Sequence, residues 1–242
     1  MKGIKSSLRD LVTYIIGAIK KDRRSKVLFY HDIHGEKCYT DMSTHMSLFV
    51  EHINTIRKSS FEIVSHITED CGQVMICFDD GFRGIWDNRD FFVANKIYPT
   101  IFIAVDLIGA PNYLSIDEIL QLKELGFMFE SHGWSHFNMA KFSGADLQRE
   151  LKDSKQWLER TFGIKISAIC YPQGYYSDRV LQLSREYGYR LLYISEPHPY
   201  RFNNDGIIPR YLVQDTNTTV LRSVLYGGMD IWQPHYHKLH KL

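Results

Sequence analysis

The sequence predicts an α/β domain with a mainly parallel sheet, either open or closed into a barrel of roughly seven or eight strands. Short apolar runs alternate with helix-forming segments along most of the 242 residues, which is the pattern of parallel strands joined by helical crossovers. No Pro/Gly/Ser-rich linker and no internal repeat divides the chain. We therefore expect one domain over residues 26–242, preceded by an N-terminal amphipathic segment over residues 1–25.

Strands and helices alternate through the first half of the chain. Ser43 and Thr44 can cap a helix that runs to about Arg57 with an apolar stripe along one side. A second helix is expected over residues 85–95. The strand-like runs cover residues 27–30, 61–64, 74–78 and 100–105.

The second half of the chain continues the alternation. Its first helix opens on a capping-box spacing, because Glu118 follows Ser115 by three residues. The helices expected here begin at Ser115, Ser143 and Ser177 and end at Gly126, Gly163 and Gly188. The strand-like runs cover residues 127–129, 166–170, 191–194 and 207–213.

Composition excludes several classes of protein. The formal net charge is +1 and the basic residues are dispersed, whereas a nucleic-acid partner requires a concentrated basic face. The four cysteines lack the C-x-x-C spacing of a zinc or redox site. We expect neither a nucleic-acid partner nor a disulfide framework.

The N-terminal segment is open to two interpretations. Its apolar stretch from Leu11 to Ile19 has the length of a signal-peptide core, but charged residues flank it and no small-residue cleavage site follows. The segment either packs on the domain, which we favour, or lies at a membrane surface. No stretch of the sequence reaches the roughly 18 apolar residues of a membrane span. We expect a cytoplasmic location, with periplasmic or surface action as the alternative and with this segment as the point of any peripheral membrane contact.

Two adjacent carboxylates end the run of residues 74–78. Asp79 and Asp80 follow a strand that should be buried on both faces, and Gly81 comes next. Because side chains alternate along a strand, the two carboxylates can point in different directions, one to a metal and one to a water. The alternative is a simple Asp-Asp-Gly turn.

Two histidines follow the run of residues 127–129. His132 and His136 are four positions apart, so one helical turn would bring both imidazoles to the same side. Together with an aspartate they make three protein ligands and leave an open coordination position, as in a catalytic zinc site. Functional groups gather at the carboxyl ends of parallel strands, which favours the combination over two unrelated histidines.

The order of these motifs resembles the polysaccharide deacetylase family, also called the NodB-homology domain or carbohydrate esterase family 4. The similarity extends over about residues 26–213. It is carried by Phe78-Asp79-Asp80-Gly81, His132-x-x-x-His136 and Tyr171-Pro172-Gln173-Gly174, and by Tyr30-His31, Ser195-Glu196 and Ile208-Pro209-Arg210. The resemblance implies a distorted (β/α) barrel, of roughly seven strands, that binds a divalent metal, usually zinc.

The resemblance also implies roles for individual residues. Asp79 would be the general base, and Asp80 would join His132 and His136 as the metal ligands. The loop of Tyr171, Pro172, Gln173 and Gly174 would bind substrate, with backbone N–H groups that help to stabilise the oxyanion. Alternatively, this loop is only a turn.

Three departures from the family pattern concern the catalytic machinery. Gly133 stands where many members have a Ser or Thr that steadies the loop. Cys170 stands where many members have an arginine that orients the catalytic aspartate, so Asp79 is expected to be oriented differently. No late Leu-x-His motif supplies a general acid, and we predict that His31 takes this role. The tail histidines, His235, His237 and His240, are expected to be solvated surface groups.

Together these features predict a metal-dependent hydrolase that removes an N-acetyl or related acyl group from a sugar of a polysaccharide, glycan or glycolipid precursor. Aromatic residues near the expected rim support a carbohydrate substrate. Two alternatives are a hydrolase of a non-sugar amide and a catalytically impaired carbohydrate-binding protein with the same fold.

Overall fold

A computed structural model describes residues 2–202 and 205–242 of the chain. The strands are β1 (Lys26–Tyr30), β2 (Asp32–His34), β3 (Ser43–His45), β4 (Glu62–Val64), β5 (Gln73–Phe78), β6 (Thr100–Ile103), β7 (Met128–Ser131), β8 (Ala168–Cys170), β9 (Leu191–Ile194), β10 (Ile207–Pro209) and β11 (Tyr211–Leu212). The α-helices are α1 (Lys2–Lys20), α2 (Met46–Lys58), α3 (Gly84–Asp87), α4 (Arg89–Asn95), α5 (Ile116–Glu124), α6 (Gly144–Gln148), α7 (Ser154–Phe162), α8 (Asp178–Glu186), α9 (Thr218–Leu225) and α10 (Gln233–His240).

Eight parallel strands form a nearly closed barrel in the order β10-β9-β8-β7-β6-β5-β1-β11, and β4 pairs with β5 outside this path. The predicted α/β barrel of roughly seven strands is therefore confirmed, with one strand more. The expected strand over residues 207–213 is divided at Arg210. Its first part pairs with β9 and its second with β1, so this short segment connects the two ends of the barrel sheet.

Most helices begin where their capping residues predict. Ser115 and Glu118 form the predicted capping box, and the Ser177 side chain accepts a hydrogen bond from the first turn of α8. The helix expected from Ser43 begins later, because residues 43–45 pair with β2 as a strand. The long helix expected from Ser143 contains a π-helical stretch, Arg149–Asp153, between α6 and α7.

The core fills the barrel and the space beneath its helices. Every residue of β1, β5 and β6 is buried, as expected for parallel strands covered on both faces. Phe49, Phe78 and Phe92 pack edge to face or tilted against one another beneath α2 and α4. This packing holds the strands rigidly and fixes where their carboxyl ends lie.

The helix α1 lies against α9 and the 3-10 turn Gly228–Trp232. Thr13 is buried and accepts a hydrogen bond of 3.2 Å from Trp232 Nε1. Lys20 Nζ lies 2.8 Å from Asp230. The helix packs on the domain, as we favoured from the sequence. No helix within residues 2–202 and 205–242 is long and apolar enough to cross a membrane.

Candidate active site

Six barrel strands are each followed at once by a residue that lines one cavity of about 260 Å³. These residues are His31, Asp79, His132, Tyr171, Ser195 and Arg210, after β1, β5, β7, β8, β9 and β10. Carboxyl ends of parallel strands meet at one end of a barrel, so distant parts of the sequence converge here. The cavity also contains Asp80, His136, Gln173 and Gly174. Of the predicted site residues only Pro172 does not line it, although it is buried.

Asp80, His132 and His136 come together as predicted. Asp80 Oδ1 lies 3.2 Å from His132 Nε2 and 2.9 Å from His136 Nε2. Burial raises the pKa of Asp80, but the two imidazoles outweigh this and hold it below its ordinary value. Two imidazole nitrogens and one carboxylate oxygen are a donor set that suits zinc.

The tautomer of His132 gives a further reason for a cation here. Its Nδ1 lies 2.7 Å from the Cys170 carbonyl oxygen, so Nδ1 carries a proton and donates a hydrogen bond to that oxygen. When the ring is neutral, the lone pair of Nε2 faces the buried Asp80 Oδ1 at 3.2 Å. Two facing lone pairs repel each other unless a cation lies between them. The three side chains therefore fit a divalent metal.

A second group of potential ligands, Asp79, His132 and Cys170, is less suited to a metal. Arg210 donates a hydrogen bond of 2.8 Å to Cys170 Sγ, so this sulfur already has a partner. Both oxygens of Asp79 are already hydrogen-bonded by Arg210. Of the two groups, Asp80, His132 and His136 are therefore the better candidates to hold a metal.

The segment from His132 to His136 is a loop, so the expected helical turn is wrong. Glu150, from the π-helical stretch, holds this loop instead. Its carboxylate accepts hydrogen bonds from Trp134 N at 2.8 Å, from Ser135 N at 3.1 Å and from the Ser135 hydroxyl. Glu150 thus holds the 134–135 backbone without any side chain at position 133.

Gly133 fits this arrangement because a larger residue would not. Its φ is +82°, and a Cβ there would lie 2.8 Å from Glu150 Oε2. Gly133 therefore leaves the space that the Glu150 carboxylate occupies. With the loop held by Glu150, the imidazole of His136 lies beside Asp80.

The backbone is strained at two of the proposed ligands. Asp80 has φ +71° and His136 has φ +62°, a region that residues other than glycine rarely occupy. Gly81 N donates a 2.9 Å hydrogen bond to Asp79 O, so the Asp-Asp-Gly segment is indeed a turn. The turn interpretation is confirmed, and it is compatible with a metal site because this turn directs the Asp80 carboxylate toward the two histidines.

Asp79 is oriented by Arg210, a residue to which the sequence analysis gave no role. Arg210 donates to both Asp79 oxygens, at 2.6 Å and 2.9 Å, and both side chains are buried. Burial raises the pKa of Asp79, but Arg210 outweighs it and keeps the pKa below its ordinary value. Asp79 is therefore oriented by a guanidinium from the segment between β10 and β11, and not by a residue at position 170, where Cys170 stands. The motif Ile208-Pro209-Arg210 was the available signal.

His31 lines the same cavity, as predicted. Its Nδ1 lies 2.7 Å from Gln214 Oε1, and with this oxygen as acceptor Nδ1 carries a proton. The other ring nitrogen, Nε2, makes no hydrogen bond with a described residue and is available to a ligand in the cavity. Sequence reasoning had not identified Gln214, which follows β11.

The expectation for the tail histidines is wrong for His240. This side chain is buried and lines the cavity together with Tyr236, because α10 packs beside the 171–174 loop. The backbone amide of Tyr176 donates to His240 O at 3.1 Å. His237 is exposed but hydrogen-bonded to Glu196 at 3.1 Å. The helix α10 had no apolar stripe from which it could be predicted.

The loop of residues 171–174 is a turn that also lines the cavity. Its Tyr171 amide donates to Tyr193 O at 3.4 Å, and its Gly174 amide donates to Tyr171 O at 3.0 Å. Pro172 has no N–H group. Gln173, with φ +60°, therefore carries the one amide of this loop without a hydrogen-bond acceptor among the described residues.

Residues 66–192, just over half of the chain, match the sequence profile of the polysaccharide deacetylase family. A putative polysaccharide deacetylase, YxkH, of Bacillus subtilis is 30% identical over 128 residues, which are 51% of this chain and 45% of that protein. A poly-beta-1,6-N-acetyl-D-glucosamine N-deacetylase of Staphylococcus aureus is 29% identical over 59% of this chain and 54% of its own length. The chain spans about half the length of these curated relatives.

Solved structures share the fold. The Streptococcus pyogenes deacetylase PplD, in complex with acetate, superimposes with a TM-score of 0.73 at 18% identity, over 84% of this chain and 98% of that one. IcaB from Ammonifex degensii gives a TM-score of 0.74 at 16% identity, over 85% of this chain and 98% of that one. At such identities the likeness concerns the fold.

Proposed function

This chain belongs to the polysaccharide deacetylase family, and we propose that it is a metal-dependent hydrolase that removes an N-acetyl or related acyl group from a sugar. The substrate would be a polysaccharide, a glycan or a glycolipid precursor. One observation carries the proposal: a buried, Arg210-bound carboxylate, Asp79, lines the same cavity as the group formed by Asp80, His132 and His136.

Asp80, His132 and His136 would hold the metal, and we propose that this metal is zinc. The ion would polarise the acyl carbonyl group and lower the pKa of a bound water. Hydrogen bonds from His132 to Cys170 O and from the 134–135 loop to Glu150 fix the ligands before a substrate arrives.

Asp79 would act as the general base. Arg210 keeps it ionised and fixes its orientation. Oδ2 also accepts from Cys170 Sγ at 3.7 Å, whereas Oδ1 accepts from Arg210 alone among the described residues and retains a further lone pair. One oxygen takes a proton from the attacking water as the water oxygen forms a bond to the acyl carbon. The free amide of Gln173 would donate to the oxyanion that develops on the carbonyl oxygen.

His31 would act as the general acid. Gln214 fixes the ring through Nδ1 and leaves Nε2 toward the cavity. In the imidazolium form Nε2 carries a proton as well, and this proton would pass to the leaving amine nitrogen as the carbon–nitrogen bond breaks, so acetate and a free amino sugar are formed.

We propose N-acetylhexosamine oligomers or polymers as the substrate class. The printed activity of the Staphylococcus aureus relative supports this choice. A cytoplasmic location is part of the proposal, and the four unpaired cysteines in the described residues support it because thiols persist in reducing compartments. The catalytically impaired alternative is less favoured, because Arg210 supplies a guanidinium to Asp79 although position 170 is a cysteine.

An acetate-release assay on zinc-supplemented protein with N-acetylglucosamine oligomers tests the proposal. We expect Asp79→Asn to keep its bound metal and lose at least about 100-fold in kcat. His132→Ala should lose both metal and activity. The exposed His66 supplies a control, His66→Ala, which should change neither.

Full activity of Asp79→Asn would refute the general-base assignment. Wild-type protein that stays metal-free after supplementation would refute the metal site.

A further inference from the structure

The helix α1 turns its apolar side away from the domain. Its outward residues include Leu8, Leu11, Ile15 and Ile19, with exposed fractions of 62%, 54%, 46% and 74%. At 3.6 residues per turn, these four positions and Ala18 fall within an arc of roughly 100°. A surface helix of a water-soluble domain normally has the opposite orientation. The inverted orientation leaves a continuous apolar row in contact with solvent.

The opposite side of α1 is held too closely for the helix to rotate. Gly17 lies against α9, where a Cβ would come within 2.6 Å of Ser223 O. Thr13 and Lys20, on the same side, bind Trp232 and Asp230. Rotation of α1 to bury the apolar row would bring larger side chains to the Gly17 position. The outward direction of the row is therefore a property of the folded domain.

A cationic cavity of about 840 Å³ lies along one flank of the apolar row. Tyr14, Gly17 and Ala18 of α1 line it, together with residues of α2 and α9. Its charged residues are Lys21, Arg23, Lys58 and Arg222, and its lining contains no carboxylate. None of these four cations forms a salt bridge with a described residue. The cavity is thus concave and lined by positive charges alone, which suits an anion.

We propose that the apolar row of α1 and the neighbouring cationic cavity dock the protein on a bilayer that contains anionic lipids. The row would enter the boundary between headgroups and acyl chains, with α1 parallel to the membrane plane. An anionic headgroup would then lie at the level of the helix flank, where the cavity opens. The docking is peripheral, and the barrel stays in water.

Charge favours a bilayer over a protein partner. An apolar row flanked by several cations without counter-charges matches a surface that is apolar inside and uniformly negative at its edge. The two interpretations of the N-terminal segment are thus compatible. One side of α1 packs on the domain, and the opposite side would contact the membrane. The inference does not depend on the proposed function, since it concerns another surface.

Vesicle co-sedimentation of the full chain tests the proposal. The vesicles contain phosphatidylcholine alone, or phosphatidylcholine partly replaced by phosphatidylglycerol. We expect wild type to bind the anionic vesicles at least about tenfold more strongly than the neutral ones, and to be released by high salt.

Two variants separate the apolar and the cationic contributions. Leu11→Ser/Ile15→Ser removes part of the row and should weaken vesicle binding at least about tenfold. Lys58→Gln/Arg222→Gln should weaken it on the order of fivefold for each charge removed. Matched controls are Ile116→Ser/Leu125→Ser for exposed apolar residues and Arg160→Gln/Lys165→Gln for exposed cations. Both controls should bind as wild type does.

Three outcomes would overturn the proposal. They are no binding of wild type to either vesicle, equal binding by the α1 variant and wild type, and a wild-type dimer that Leu11→Ser/Ile15→Ser dissociates without vesicles. The last result would assign the row to a second copy of the chain. Circular dichroism and acetate release from soluble oligomers should be unchanged in all variants, so a failure of membrane binding is distinguishable from a failure of the proposed reaction.

Discussion

Arg210→Met should strongly destabilise the fold. Arg210 is buried and donates hydrogen bonds of 2.6 Å and 2.9 Å to Asp79, which is also buried. Removing one partner of such a pair leaves a buried charge without compensation and costs about 3 to 5 kcal/mol. The guanidinium also lies 4.1 Å from the ring centroid of Phe29, and loss of this contact adds about 1 to 2 kcal/mol. The sum is a large part of the 5 to 15 kcal/mol that stabilises a typical domain.

A double-mutant cycle isolates the ion pair from the lost ring contact. Asp79→Leu should cost about as much as Arg210→Met, because it leaves the guanidinium unpaired. The combined variant should be at least about 3 kcal/mol more stable than the sum of the single changes predicts. Urea unfolding followed by circular dichroism measures each free energy, with a chelator present so that metal binding does not contribute.

The surface pair Arg83–Glu118 supplies the matched control. Its N···O distance is also short, 2.8 Å, but the Arg83 side chain is 44% exposed. Arg83→Met should therefore cost no more than about 1 kcal/mol. Additivity of Arg210→Met and Asp79→Leu within about 0.5 kcal/mol would refute the coupling that we infer between Arg210 and Asp79.

Two further predictions concern the metal site and a buried lysine. Glu150→Ala removes the acceptor for the amides of residues 134 and 135, so zinc affinity in a chelator competition should fall about 10- to 100-fold. Glu186→Ala, at an exposed position, is the control. Equal zinc affinity of the two variants would contradict the role of Glu150. Burial lowers the pKa of Lys26 from 10.5 to about 8, so the folded state binds this proton more weakly than the unfolded state. The free energy of unfolding should then rise by about 3 kcal/mol between pH 8 and pH 10.5. Lys26→Met should lack this part of the rise. Parallel pH profiles of wild type and Lys26→Met would contradict it.

Local motifs indicated the proposed metal ligands and the proposed base. Asp79 and Asp80 were identifiable because a buried apolar strand precedes them, and His132 was identifiable for a similar reason. The supporting residues carried weaker signals. Glu150 lies in a helical segment where a carboxylate is ordinary, and Gln214 follows a strand of only two residues.

The sequence by itself determined the barrel class, because the spacing of apolar runs and caps depends on short-range geometry. It also determined which residues could bind a metal. The tertiary structure decided that Arg210, 131 positions from Asp79, supplies its charge partner. It decided too that α1 directs its apolar side outward. These outcomes depend on how the barrel closes and on which helices meet, and contacts between distant segments leave no periodic trace in either segment.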